Sequence, residues 1–165
     1  MKIGIKTFDD AFFLENLKEK ADFIEIMAIE GNNYDFLKKF SLPIVIHAQH
    51  ENFGINNSDK TIYQKNLNSI NFAKKIADLI NAKKIILHPG ALLNENHSKQ
   101  QSIQFMGEIK DKRILIENLP AKKNICSTPN QTKDFLKQTN LGFCLDINHA
   151  IETAIYLNKD YIDPR

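Results

Sequence analysis

The sequence is short of the features that mark several familiar protein classes. Its 165 residues carry six glycines, scattered rather than gathered into one turn. A dinucleotide-binding sheet needs a glycine-rich turn after an early strand so that backbone can approach a pyrophosphate, and here Lys2–Lys6 is followed by Thr7-Phe8-Asp9-Asp10. Only Cys126 and Cys144 are cysteines. Cys144 sits inside the apolar run Gly142–Asp146, a setting for a buried free thiol, which implies a reducing, cytoplasmic environment. The 22 basic residues are offset by 20 acidic ones, a net charge of +2, so no basic excess by itself argues for nucleic acid. No apolar stretch approaches the ~18 residues of a membrane helix. The opening MKIGIKT reads as a strand with no signal-peptide h-region, so a soluble protein is expected. No linker or low-complexity tract divides the chain, and 42% hydrophobic with 25% charged residues is a globular balance, so one domain is expected.

What is present is a regular alternation. Six β-branched runs bounded by turn residues read as strands: Lys2–Lys6, Asp22–Met27, Pro43–Ala48, Lys84–His88, Arg113–Glu117 and Leu141–Asp146. Between them lie amphipathic segments. Thr61–Ile80 is the clearest helix, with Tyr63, Leu67, Ile70, Ala73, Ala77 and Ile80 on one face and Lys65, Asn68, Lys75 and Asp78 on the other. Further helices are expected at Asp10–Lys20, Tyr34–Phe40, Lys99–Lys110, Gln131–Thr139 and from Ala150 to Asn158, with Asp9, Asn33 and Asn130 as N-caps. Strict strand–helix alternation with doubly apolar strands specifies a parallel sheet covered by helices.

The strand ends favour a closed barrel over an open sheet. Successive runs finish in a side chain able to bind a metal: IVIH at His47, IILH at His88, ILIE at Glu117 and FCLD at Asp146. In a barrel the C-terminal ends of neighbouring strands converge on one mouth, so residues distant in sequence can share one ion. Two imidazoles and two carboxylates suit Zn²⁺ first, with Mn²⁺, Mg²⁺ or Fe²⁺ as alternatives. Around this set, Glu25 is either a substrate contact or a structural salt bridge, and Asn118 either orients a ligand or forms a turn. His50 is either an exposed loop histidine or an accessory metal or phosphate contact, and His97 is read as a surface residue.

These segments resemble the xylose isomerase-like barrel superfamily, and within it the endonuclease IV (apurinic/apyrimidinic endonuclease) branch. The carrying motifs are IVIHAQHENFGINNSDK, a long helix, AKKIILHPG, ILIENLP and CLDINHA. The resemblance implies that His47 and His88 bind one zinc and that Glu117 bridges two. It further implies that Asp146 binds the second metal and His149 of the D-x-x-H motif a third. The start KIGIKTFDD and the His-Ala-Gln-His context of His47 depart from the family's usual Gly-Ser-His-like start and its Pro-Tyr after that histidine.

The fold expected is therefore a xylose isomerase-like (β/α)8-type barrel with about six βα units in this chain, about two fewer than the ~250-residue closed form needs. Its first and sixth strands should not pair, and a homo-oligomer would cover the open edges. The function implied is divalent-metal-dependent phosphodiester hydrolysis at abasic sites in DNA, with Glu117 as catalytic residue and Glu25 and Asn118 near the substrate. The alternatives are a sugar isomerase or epimerase of the same superfamily and an inactive metal- or partner-binding remnant.

Overall fold

The computed structural model describes residues 2–7, 11–16 and 19–158. The strands are β1 (Gly4–Thr7), β2 (Phe23–Ala28), β3 (Ile44–Ala48), β4 (Ile85–Leu87), β5 (Ile114–Glu117) and β6 (Gly142–Cys144). They form one sheet in the order β1-β2-β3-β4-β5-β6, with every neighbouring pair parallel. As the alternation requires, β6 pairs in parallel with β5, and among the described residues β1 and β6 stay unpaired with each other. This is the sheet of a barrel left open between its first and sixth strands.

The helices are α1 (Ala11–Glu15), α2 (Tyr63–Leu79), α3 (Lys99–Glu108), α4 (Pro129–Thr139) and α5 (Ile147–Leu157). Strand alternation sends Ile24, Ile26, Ile44, Ile46, Ile85, Leu87, Ile114 and Ile116 to the helix side, where all are buried. There they join Ile70, Ala73, Ile76 and Ala77 of α2 and Ile103 and Met106 of α3 in one core. Each such aliphatic side chain contributes ~1.5–3 kcal/mol by leaving water, which is why this face, not the inner one, anchors the sheet. Both cysteines are free thiols, and burial pushes Cys126 up to about 12 and Cys144 up to about 11. No helix of the described residues is long and apolar enough to cross a membrane.

Several local expectations are corrected. Tyr34–Phe40 is not an α-helix but a 3₁₀ turn over Asp35–Lys39, with Leu37 N donating to Tyr34 O and Phe40 N to Leu37 O. Tyr34 is not free to join a helical face, because its buried hydroxyl accepts from Ile29 N and donates to Met27 O at the end of β2. Asn33 accepts from Asp35 N as an Asx turn rather than capping a helix. Thr128, not Asn130, caps α4, in a capping box with Gln131 and with Pro129 at the first helical position. The expected cap Asp9 lies outside the described residues. The last helix starts at Ile147 rather than Ala150, because the Asp146 carboxylate accepts from His149 N at 2.9 Å and caps it. At this edge Phe143 on the outer side of β6, Leu145 just past it, and Ile147, Ile151 and Ile155 of α5 are exposed.

Candidate metal centre

Register decides which side chains face the inside of the sheet. Met27 pairs with His47, His47 with Ile86, Ile86 with Leu115, and Glu117 with Cys144, so this row and its i±2 neighbours share the inner face. His47 and Glu117 lie within their strands, and His88 stands one residue past β4, in step with Ile86. The ladder between β3 and β4 covers only two pairs. His88 is therefore held by other means: Asn57 Nδ2 donates to its carbonyl at 2.9 Å. The glycine of the His-Pro-Gly sequence explains how the loop comes so close. Gly90 has φ +101, and a Cβ there would lie 2.6 Å from Ser58 N and 2.8 Å from Asn56 Oδ1. Asn56 in turn binds the backbone of Ala91, accepting from its N–H at 2.8 Å and donating to its carbonyl at 2.9 Å.

The result is a compact donor cluster. His47 Nε2 lies 3.0 Å and His88 Nε2 3.3 Å from Glu117 Oε2. One ligand atom from each of His47, His88 and Glu117 falls within 4.8 Å of the others, and the same is true of Glu117, Asp146 and His149, so the two groups share Glu117. A cavity of about 230 Å³ opens over them, with Lys6 and Lys123 on its wall. Two larger clefts of about 610 Å³ lie elsewhere, under the strand starts and beside β6, and among the described residues no metal-donor cluster opens into either.

Three histidines around Glu117 each have one ring nitrogen committed. His47 Nδ1 donates to Ala48 O at 2.8 Å and His149 Nδ1 to Asn118 O at 2.8 Å. A carbonyl can only accept, so the contact places a proton on Nδ1 of His47 and leaves its Nε2 facing Glu117; in His149 the nitrogen so committed, Nδ1, is also the one nearest the carboxylates, 3.9 Å from Glu117 Oε1 and 3.7 Å from Asp146 Oδ2. His88 Nδ1 lies 3.2 Å from Glu51 Oε2, which does the same for the third ring.

The fold agrees with the wider comparison. A family model described as a xylose isomerase-like TIM barrel matches residues 34–164. The chain belongs to this family. Among curated proteins it is 27% identical over 157 residues to the probable endonuclease 4 of Halothermothrix orenii, covering 87% of this chain and 54% of that one. Endonuclease IV from Thermus thermophilus superposes with a TM-score of 0.72 at 16% identity, over 98% of this chain and 69% of that one. A D-tagatose 3-epimerase-like protein superposes with a TM-score of 0.72 at 21% identity, over 91% of this chain and 66% of that one. This xylose isomerase-like barrel thus spans about half the length of that curated relative, and its backbone is as close to an epimerase-like protein as to an endonuclease.

Within this barrel the electrostatics follow from burial and pairing. Burial opposes ionisation of Glu117, yet hydrogen bonds from His47 and His88 outweigh it and hold the carboxylate well below its ordinary range. Burial likewise opposes the charged form of His88, but the bonds to Glu117 and Glu51 together raise its pKa above the ordinary value.

The other residues singled out from the sequence fall as follows. Asn118 is fully used: its Nδ2 donates to Asp146 O at 2.9 Å and its Oδ1 accepts from Asp146 N at 2.7 Å, clamping the end of β6 where the ladder has stopped. Glu25 shares the inner face of β2 with Met27 and pairs with Lys6 at 2.9 Å. His50 is corrected from an exposed loop histidine. Its side chain is only 14% exposed, and its ring stacks on His88 with centroids 4.5 Å apart. Burial, then the nearby His88, lowers its pKa to about 4. His97 is also corrected, because the loop after Ala91 folds it inward. Its Nδ1 accepts from Leu93 N at 3.1 Å and its Nε2 faces Asp59 at 3.4 Å, a structural role. Glu51 and Lys123 escaped sequence reading altogether, since both lie on 3₁₀ turns past the strand ends.

Proposed function

We propose that this barrel is a divalent-metal-dependent phosphodiester hydrolase of the endonuclease IV type, acting on DNA at abasic sites. The observation that carries the reading is the shared carboxylate: Glu117 belongs both to the group with His47 and His88 and to the group with Asp146 and His149. The donor set fits zinc. Two imidazole nitrogens with fixed tautomers and one buried carboxylate oxygen leave a fourth position open. Zinc held by His47, His88 and Glu117 would supply Lewis acidity toward a phosphoryl oxygen.

The chain's own residues do the rest. Glu117, the catalytic residue of this reading, serves both donor groups, while Asp146 and His149 complete the second. Lys6 and Lys123 stand on the wall of the mouth, each paired with a carboxylate, Lys6 with Glu25 and Lys123 with Glu51, so the wall offers a phosphate group ammonium donors rather than a net positive field. Glu25 is held beside this mouth by Lys6, and Asn118 acts on the substrate side only through Asp146, which it clamps. The free, high-pKa thiols fit a reducing, cytoplasmic location.

A second reading, a sugar isomerase or epimerase, is supported by the equal TM-score of the epimerase-like protein. In it Glu117 and Asp146 hold a single ion beside the substrate oxygens and a glutamate, with Glu25 in position, moves the proton. Metal stoichiometry and a nicking assay on an abasic duplex separate the two. Hydrolysis predicts two or three bound ions with histidine ligation and zinc-dependent nicking that Glu117→Gln abolishes. The nicking should be weak, because two-metal catalysis needs both ions fixed ~3.5–4 Å apart and in the second group Asp146 spends one carboxylate oxygen on capping α5. One carboxylate-held ion, no nicking and turnover of a ketose would establish the second reading instead.

A further inference from the structure

Glu51 begins the 3₁₀ turn Glu51–Phe53 directly after β3, and its side chain is 8% exposed. A buried carboxylate must have partners, and this one has two: its Oε2 lies 3.2 Å from His88 Nδ1 and its Oε1 lies 3.0 Å from Lys123 Nζ. On the far side of the same imidazole, His88 Nε2 faces Glu117 Oε2 at 3.3 Å. Lys123, Glu51, His88 and Glu117 therefore form one continuous polar chain that runs from the wall of the mouth into the donor cluster.

We propose that Glu51 is the positioning residue for His88: by accepting the Nδ1 proton it fixes the ring's tautomer and plane and presents Nε2 to the ion. The proposal rests on the reading of His47, His88 and Glu117 as a metal site. His88 needs such help more than His47 does. His47 bonds its own neighbour's carbonyl from within a strand, whereas His88 stands beyond the end of β4 and has a carboxylate, not a backbone carbonyl, at its Nδ1. Lys123 has a matching part. By pairing with Glu51 Oε1 it supplies the countercharge that lets a carboxylate stay buried and makes it a poor ligand in its own right. The competing arrangement on the same residues is an ion held by His50, Glu51 and His88, whose ligand atoms also lie within 4.8 Å of one another. That arrangement would require a cation beside Lys123, and His50 Nδ1 already accepts from Asn52 N at 3.4 Å.

The test is zinc affinity by competition with a chromophoric chelator for the wild-type chain, Glu51→Leu, Glu51→Gln and Glu117→Gln, with the visible spectrum of the Co²⁺ form of each. Loss of an outer hydrogen-bond partner of a metal-bound histidine weakens binding ~10–100-fold, and Glu51→Leu should do so without changing the number of ions bound. Glu51→Gln keeps an oxygen to accept from Nδ1–H and should recover most of that affinity and the wild-type Co²⁺ spectrum. A Glu51→Leu chain with wild-type affinity and spectrum overturns the proposal, and loss of one equivalent of zinc shows Glu51 to be a ligand instead. In case Glu51→Leu fails to fold, ¹⁵N shifts of His88 in the zinc-loaded wild type decide independently: a protonated Nδ1 with a bound Nε2 is expected, and the reverse refutes it. Equal affinity of wild type and Glu117→Gln would remove the metal-site reading itself, an outcome distinct from failure of Glu51 alone.

Discussion

Replacing Gly90 with alanine should damage both stability and the metal site, and the size of the effect can be worked out. At φ +101 an L-residue is strained whatever the space around it, which costs ~1–2 kcal/mol. The added Cβ would also press on Ser58 N at 2.6 Å, Asn56 Oδ1 at 2.8 Å and Asn57 C at 3.1 Å, the first and last of which are backbone and cannot swing aside. Overpacking of this kind costs a further ~1–3 kcal/mol. The sum, ~2–5 kcal/mol, corresponds to a fall in Tm of ~4–20 °C for a domain of this size. Because Asn57 holds the His88 carbonyl, displacing the 56–58 segment should weaken zinc binding as well. Gly31→Ala is the control: φ is +97 there but nothing lies within 4 Å, so it isolates the strain from the clash. Thermal unfolding of both variants, with a zinc titration of each, checks the argument. If Gly90→Ala melts within about 2 °C of Gly31→Ala and keeps its zinc affinity, the close approach of the loop to the His-Pro-Gly turn is not what positions His88.

Asn118→Ala should cost ~1–3 kcal/mol, because it strips the partner from the Asp146 N–H and one of two from its carbonyl, which also accepts from Ala150 N; urea unfolding reads the loss, and no measurable cost would show that the clamp is dispensable. Thr128→Ala should cost ~1 kcal/mol through the lost capping box of α4, read the same way, and no change would place the helix start elsewhere. In the metal-free protein His50 should titrate near pH 4 by NMR rather than near 6.5. Its folded pKa is depressed, so the unfolded chain takes up the proton first as pH falls, and the stability this neutral ring contributes is present above pH 6.5 and lost between 6.5 and about 4. A His50→Gln variant should lose that part of the pH dependence, and an unchanged stability–pH curve would contradict the burial of His50.

The strand order and the inward residues were legible in the sequence for one physical reason. A parallel strand covered on both faces reads as an apolar run, and a His, Glu or Asp closing such a run stands out against it. His47, His88 and Glu117 were found in this way. What was not legible lies in loops. Glu51 and Lys123 look like ordinary surface charges in HENFG and PAKKN, and only the three-dimensional course of two 3₁₀ turns brings them to His88. His97 sits among polar residues that suggest a surface, yet the loop folds it against Asp59. Asp146 shows both limits. Its residue type marked it as a strand-end donor, but β6 stops at Cys144 and one carboxylate oxygen caps α5, a role that composition alone does not reveal. Tyr34–Phe40 carried enough apolar residues for a helix, and the tertiary demand on the Tyr34 hydroxyl overrode that pattern.

If His47, His88 and Glu117 hold a metal ion together, as proposed, zinc X-ray absorption on the stoichiometrically loaded chain will detect them. The expected zinc is four-coordinate, with two imidazole nitrogens at ~2.0–2.1 Å and carboxylate or water oxygens at ~2.0–2.2 Å. One imidazole should be lost in either His47→Ala or His88→Ala. A shell of oxygens alone, or a spectrum that neither substitution alters, would contradict it.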